Sequence, residues 1–466
     1  MRDLTHVRGG RWVVAIVVCI VVASVGIVYT VWVHGGGRVE EPEAEFSPGA
    51  QLSQVRVAIL YERVTDGGLV NRSLDDVVRI VEETGADMIF RGFWRWSPFP
   101  DDCSQLPKRL QAQCELAGYS YEHLEEAIAA LKEAKPDLIF CGAVPAQKVQ
   151  RQHEQNPRTG EILEYPETWE LALDPSRWGI NVSKERFQCW FSKTHLWVDR
   201  ELDCADYDPE EANAYFPDIT NEEFQELLLS WAEEQIDRGA DAIWIDMLVT
   251  QARIMEDLTG DPNHPAVVDA LKAAQRIVDE IHAYGKSKGR YVYVGSWWTA
   301  ARFSHNRPDL DFVTVSPTIK EVLTMELNES RWNEVVKLVR ENLGDIPIFA
   351  FIDWAGTVRT PLGAFSQSLS PEQQREFLRK ADAFLRERGI VFIYPVHGGY
   401  MGVDATVLSF GRYRFYDSIA PEFQTYQTIV ELARSHKPTP EILFGGVMGC
   451  GRASWRSLRS RAHLWH

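Results

Sequence analysis

Two periodicities alternate along the chain. Short apolar runs rich in Ile, Val, Phe and Tyr are separated by longer stretches in which apolar positions recur every three or four residues. The short runs read as strands covered on both faces, and the longer stretches as amphipathic helices. Strands are predicted at 55–61, 87–93, 137–143, 242–246, 291–296, 312–316, 348–353 and 391–395. Helices are predicted at 74–84, 121–134, 221–238, 266–288, 299–305, 321–342, 371–388 and 421–436. Local signals support the helix ends. Thr220 with Glu223 three residues on makes a capping box. Gly239, Gly285 and Gly389 fall where helix C-caps are expected. Ser370-Pro371 puts a proline in a first turn. Eight strand–helix units in series point to an α/β fold, a (β/α)8 TIM barrel over 54–436. The third unit is interrupted at 144–216, too long for a simple loop. Its aromatic stretch 187–198 reads as strand-like, and the whole as an excursion over the barrel mouth.

The flanks differ from this body. Residues 12–33 carry no formal charge for 22 positions, enough for a single N-terminal transmembrane helix. The stretch is longer than the apolar core of a cleaved signal peptide. Arg2, Arg8 and Arg11 precede it and an acidic run from Glu40 follows. The charge bias places residues 1–11 in the cytoplasm and the barrel outside the cell, in a single-pass cell-membrane protein. Residues 34–53 form a Gly-, Pro- and Glu-rich linker, and 437–466 a basic C-terminal tail. The chain has 466 residues and a net charge of −18; residues 1–40 carry +2 and 437–466 carry +4, which leaves −24 on the body. Such a surface repels phosphate backbones, so nucleic acid is not an expected partner. Cys103 and Cys114 are close in sequence, as are Cys189 and Cys204, and each pair could close a small loop in an oxidising compartment. Sequons at Asn71, Asn181 and Asn328 fit an exported glycoprotein.

In a barrel, catalytic groups gather at the strand C-termini. The tips here offer Glu62 after the first strand and Arg91, Trp94, Arg95 and Trp96 in and after the second. Asp246 ends the fourth, and Trp297 and Trp298 follow the fifth. Asp353 and Trp354 follow the seventh, and His397 and Tyr400 the eighth. Asp246 is the most informative: an apolar strand, Ala-Ile-Trp-Ile, delivers a carboxylate at its tip. Carboxylates among many indoles suit a carbohydrate, whose C–H face stacks on flat rings while its hydroxyls and glycosidic oxygen need acids and bases. Asp246 and Asp353 lie across the mouth from one another and form the leading carboxylate pair for glycosidic cleavage, with Glu62 in reserve. Trp94, Arg95, Trp96, Trp297, Trp298, Trp354, His397 and Tyr400 are the candidate substrate contacts. No clustered His or Cys-x-x-Cys spacing points to a metal, and no cofactor is implied.

The stretch Asp-Ile-Thr-Asn-Glu-Glu-Phe-Gln-Glu-Leu-Leu-Leu (218–229), followed by Gly-Ala-Asp-Ala-Ile-Trp-Ile-Asp-Met (239–247), resembles the fourth-strand region of retaining α-glycosidases of the α-glucosidase and α-galactosidase-like families. The resemblance implies a TIM-barrel glycoside hydrolase with Asp246 as nucleophile. Two departures stand beside it. Leu248 and Val249 follow Met247 where those families have Asn-Glu. The sixth strand, which supplies their acid/base, ends here in Ser316-Pro317-Thr318. The second departure favours the alternative of a catalytically inactive barrel that binds glycan or serves the cell envelope.

Overall fold

A computed structural model of the chain describes residues 49–94, 100–106, 108–118, 120–151, 166–194, 203–353, 359–402, 404–409 and 414–436. Residues 51 onward form one compact unit. Eight parallel strands occur in chain order: β1 (Ala58–Tyr61), β2 (Met88–Trp94), β3 (Ile139–Pro145), β4 (Ala242–Asp246), β5 (Tyr293–Trp297), β6 (Phe312–Val315), β7 (Ile348–Ala350) and β8 (Val391–Tyr400). Each pairs with the next, and β1 also pairs with β8, Ala58 opposite Met88 on one side and Ile393 on the other. The sheet is therefore a closed (β/α)8 barrel, as the sequence predicts. A short strand, β9 (Phe415–Asp417), is added antiparallel to β8, with His397 opposite Asp417.

Side-chain alternation sorts the strands into two layers. Leu60, Phe90, Cys141, Trp244, Phe312, Phe349 and Ile393 fill the barrel interior. Ile59, Ile89, Phe140, Ile243, Val294 and Val313 face the helices. Trp244 is the centre of the interior. Its indole lies 5.2 Å from the ring of Phe90, 5.7 Å from Trp297 and 5.9 Å from Trp94 and Phe351. Its N–H donates to Thr314 Oγ1 at 3.0 Å, so the buried donor is satisfied. This aromatic plug closes the barrel beneath the mouth.

At the opposite end, a carboxylate immediately precedes each of β2, β4 and β6. Asp87 accepts the backbone N–H of Val57 (3.0 Å), Asp241 that of Phe140 (2.9 Å) and Asp311 that of Val294 (2.6 Å). Each satisfies an amide of the preceding strand that the ladder leaves over. Asp311 is thereby committed to the end away from the mouth.

The helices follow the amphipathic pattern with specific corrections. Leu74–Thr84 and Tyr121–Ala134 run over the predicted residues, and Pro371–Arg386 starts at its Ser370 cap. The cap of Glu222–Asp237 is Asn221, whose side chain accepts the Phe224 N–H, and not Thr220. Thr220 instead donates its hydroxyl to Asp218 Oδ1 (2.7 Å). Gly285 lies inside Pro265–Ser287, since a Cβ there would meet Val292 Cγ2 at 2.7 Å; the helix ends at Lys288. The predicted helix at 321–342 is two, Ile319–Thr324 and Glu329–Asn342, separated where Met325 turns left-handed. The predicted helix at 299–305 is a 3-10 segment, Trp298–Arg302.

In the insertion, 187–198 was expected to be strand-like, but Lys184–Thr194 is a helix. Phe187 and Phe191, four apart, are buried on one face, a spacing that suits 3.6 residues per turn. The insertion's ends are joined by a two-stranded antiparallel ribbon, Val149–Gln150 with Ala214–Tyr215. Disulfides link Cys103 to Cys114 and Cys189 to Cys204. The predicted transmembrane segment 12–33 and the tail 437–466 lie outside the described residues. Among the described residues, no helix is long and apolar enough to cross a membrane.

Candidate active site

Strand β4 buries its first four residues and leaves Asp246 partly open at the mouth. Both carboxylate oxygens are held. Trp297 Nε1 donates to Oδ1 at 2.6 Å and Gln147 Nε2 to Oδ2 at 2.7 Å. The Asp246 carbonyl accepts the Ala146 N–H at 2.9 Å, which extends the β3–β4 ladder to the very tip. Met247 then adopts φ 59°, and the chain turns sharply away. Burial pushes the Asp246 carboxyl pKa up; the Trp297 hydrogen bond, the Arg91 charge and the Gln147 hydrogen bond pull the other way. Two N–H donors on two oxygens suit an ionised carboxylate, which accepts only.

Arg91 is the organising cation of the mouth. It interrupts an apolar strand, Met-Ile-Phe-Arg-Gly-Phe-Trp, at φ 58°, where the β2–β3 register shifts. Its guanidinium lies 4.3 Å from the Trp94 ring and 5.5 Å from Trp244. Its Nη2 is 3.5 Å from Glu62 Oε1 and its Nη1 is 4.0 Å from Asp353 Oδ1. At about 4 Å and an effective dielectric near 20, such a pair is worth on the order of 4 kcal/mol before desolvation. Arg91 thus links the tips of β1 and β7 from beneath.

The two carboxylates it touches differ. Glu62 is buried and tied to the backbone: its Oε2 accepts the Gly399 N–H at 2.8 Å, and its own N–H donates to the His397 carbonyl at 2.9 Å. Gly398, at φ 86°, packs so closely that a Cβ would lie 2.3 Å from Glu62 Cβ. Asp353 keeps 20% of its side chain exposed. Its backbone N–H donates to Ser316 Oγ at 3.2 Å. Of the two, Asp353 is the more exposed.

His397 was expected at the mouth, but it is 1% exposed. Its Nδ1 donates to Asp417 Oδ2 at 2.6 Å and its Nε2 lies 3.5 Å from Asp66 Oδ1. Arg72 closes the network on Asp417 (2.8 Å) and donates to the Tyr61 hydroxyl (3.0 Å). Burial by itself would lower the imidazole pKa, but Asp66 and Asp417 raise it to about 9, so His397 is a buried cation at neutral pH. Burial likewise works against ionised Asp417, yet His397 and Arg72 hold it below the ordinary carboxylate value. His397 fixes the tip of β8, and with it the backbone that holds Glu62.

The aromatic residues also divide. Trp94 and Trp297, expected as substrate contacts, are 8% and 7% exposed and belong to the interior plug, so they form the floor of the mouth. Trp298 is partly exposed at the rim, as is Tyr400, whose ring lies 6.1 Å from Phe415. Arg95, Trp96 and Trp354 lie outside the described residues. Beyond β6, Glu321 is tied down: it accepts from the backbone N–H of Thr318 and Asn328 (both 2.7 Å), from Trp332 Nε1 (2.9 Å) and from Arg331 (3.1 Å). It is a structural carboxylate and leaves the sixth tip to Ser316.

Gln147, Asp66, Arg72 and Asp417 were not foreseen at the site, and Arg91 not as its centre. Arg91 carried a signal, a charge within an apolar run. The others depend on contacts between residues far apart in sequence.

No protein-family model matches the chain. No curated protein matches it either. Several solved structures are similar to it. One is Eubacterium rectale Amy13B, with 12% identity, a TM-score of 0.44, and coverage of 83% of this chain and 80% of that one. Another is the debranching enzyme of Nostoc punctiforme, with 14% identity, a TM-score of 0.42 and coverage of 82% and 80%. A third is a GH113 beta-1,4-mannanase, with 11% identity, a TM-score of 0.40 and coverage of 82% and 99%. At these scores the likenesses carry no argument, and the barrel stands on its own strand pairing.

Proposed function

We propose that the chain is a glycoside hydrolase held at the cell membrane by residues 12–33, with its barrel facing outward. One observation carries the reading: Asp246, at the tip of β4, has each oxygen fixed by an N–H donor in the same mouth where Asp353 stays partly open beside Arg91. In this reading Asp246 attacks the anomeric carbon. Asp353 gives a proton to the leaving oxygen and then takes one from the water that releases the sugar. Glu62 is a positioning carboxylate, because its oxygens are already used by Gly399 and Arg91. Trp298 and Tyr400 offer partly exposed rings to a sugar face. Two disulfides suit the outward location, since such bonds persist in oxidising compartments.

The test is a panel of aryl α- and β-glycosides, with proton NMR of the first product to read the anomer. Turnover of at least one substrate, lost in Asp353→Asn with activated and unactivated leaving groups affected differently, supports the assignment. Absence of turnover across the panel together with measurable glycan binding favours a second reading, an inactive glycan-binding barrel. The tied-down Glu321 and the Ser316 tip favour that alternative.

A further inference from the structure

The chain that leaves β3 goes at once to the candidate nucleophile. Ala146 extends the ladder beside Asp246, and Gln147, one residue on, donates its Nε2 to Asp246 Oδ2 at 2.7 Å. Two residues later the ribbon at the base of the insertion begins, with Val149 opposite Tyr215 and Gln150 opposite Ala214. The returning end of the insertion grips the same strand exit through the helix behind it. Ile219 donates its N–H to Gln251 Oε1 at 2.7 Å, and Gln251 Nε2 donates to Asp218 Oδ1 at 2.9 Å. Gln251 lies in the first turn of the helix Thr250–Thr259, which follows the left-handed turn at Met247. Asp218 and Gln251 are both buried. The two ends of the insertion, joined by the ribbon, therefore hold the exit of β4 at two places.

The glutamines of this region fall into two kinds. Gln251 uses both ends of its amide. Gln188 accepts the Phe216 N–H at 2.8 Å and donates to the carbonyls of Leu173 and Phe216. Gln235 accepts the Ala143 N–H at 3.1 Å and donates to the carbonyls of Ala143 and Trp231. These three are satisfied structural amides. Gln147 differs. Its Oε1 is buried and, among the described residues, has no hydrogen-bond partner. A buried acceptor without a donor is a net cost to the fold. Turning the amide over would set its oxygen against the Asp246 carboxylate, so the charge of Asp246 fixes its orientation. Gln374 also leaves its Oε1 without a partner, but its donor goes to the Leu369 carbonyl ahead of its own helix. Of these five glutamines, Gln147 is the one whose amide serves the carboxylate at a strand tip.

We propose that Gln147 is a positioning residue for Asp246, and that the insertion, anchored on the exit of β4 by both of its ends, is what places it there. The inference rests on the glycosidase reading only in calling Asp246 the nucleophile. Arg91 of β2 is the charged group that acts on Asp246; β5 contributes Trp297 and the insertion Gln147, neither of which titrates. Removing the Gln147 donor therefore disfavours the ionised form of one carboxylate and leaves the charges around it unchanged.

The test is the titration of the Asp246 carboxyl in the full chain, read in two ways. One is the acidic limb of kcat/KM with an activated aryl glycoside. The other is carbon-13 NMR of aspartate-labelled protein, in which the Asp246 signal is the one lost in Asp246→Asn. Gln147→Met should move both to higher pH by about one to two pH units. Gln147→Glu keeps the shape of the side chain and should move them further, because neighbouring like charges disfavour ionisation. It decides the case if the methionine variant does not fold. Gln251→Met removes the grip of the returning end and should shift both the same way by less, with no further shift when combined with Gln147→Met. An unmoved titration in the Gln147 variants makes Gln147 a packing residue and overturns the proposal. A shift with Gln147→Met but none with Gln251→Met overturns the part assigned to the insertion. A parent that turns over no glycoside while the NMR titration still shifts leaves the positioning standing and removes the glycosidase reading.

Discussion

Trp297 donates its indole N–H to Asp246 Oδ1 at 2.6 Å, which makes the floor of the barrel and its candidate nucleophile parts of one structure. The donor belongs to the aromatic plug around Trp244, so packing of the barrel interior sets the position of the carboxylate. Trp297→Phe keeps an aromatic ring and removes the donor. A hydrogen bond to a charged group is worth about 1.5–3 kcal/mol. Its loss disfavours the ionised form and raises the Asp246 pKa further. The acidic limb of the pH–rate profile should therefore move to higher pH. An acidic limb that stays in place argues against Asp246 as the group that must be ionised.

Arg91 lies within 3.5 Å of Glu62 and 4.0 Å of Asp353 while almost wholly buried. Arg91→Met leaves Glu62 buried without its cation, at a cost of about 3–5 kcal/mol. Arg91→Met combined with Glu62→Gln should recover a large part of that loss, because the uncompensated charge is gone. Denaturant midpoints of the two variants give the answer directly. Equal destabilisation in both would mean that Arg91 acts through packing on Trp94 and not through charge.

His397 predicts a pH dependence of stability. Its folded pKa, about 9, lies above the ordinary 6.5, so the folded state binds its proton more tightly than the unfolded state. The stabilisation is fully present below pH 6.5 and is lost as pH rises through 9, with an amplitude on the order of 3 kcal/mol. Unfolding free energy should fall between pH 6.5 and 9.5, and His397→Gln should flatten that slope. A slope unchanged in the variant would assign the loss to another group.

The disulfide Cys189–Cys204 closes a loop of 15 residues within the insertion, where cross-linking is worth about 3 kcal/mol. Cys189→Ser with Cys204→Ser should loosen the helix Lys184–Thr194 first, read as faster amide exchange there than in β4. Uniform acceleration across the barrel would show that the insertion and the barrel unfold together.

All eight strands were legible from their apolar runs, whereas helix periodicity failed after β5, where a 3-10 segment stands, and ran two helices together after β6. β4 begins and ends where its apolar run does, and its carboxylate tip followed from the same reading. The insertion was harder. Phe187, Trp190 and Phe191 have helical spacing, but a dense aromatic run also suits a strand, and tertiary packing decided. Strand-tip position likewise does not say which way a side chain points. Trp94 and Trp297 were placed at the mouth by position, yet strand parity turns them into the interior beside Trp244. The partners of His397 were hidden for a different reason: Asp66 reaches it only through closure of the barrel between β1 and β8, and Asp417 through the antiparallel pairing of β9 on β8.

The central claim is that Asp246 carries covalent chemistry at the mouth. The most direct measurement is the turnover of an activated aryl glycoside by the parent and by Asp246→Asn, with both shown to be folded by matching circular dichroism and denaturant midpoints. A fall in kcat of roughly a thousandfold or more is expected in the variant, as removal of a nucleophile produces elsewhere. A folded variant whose rate stays within a few-fold of the parent contradicts it.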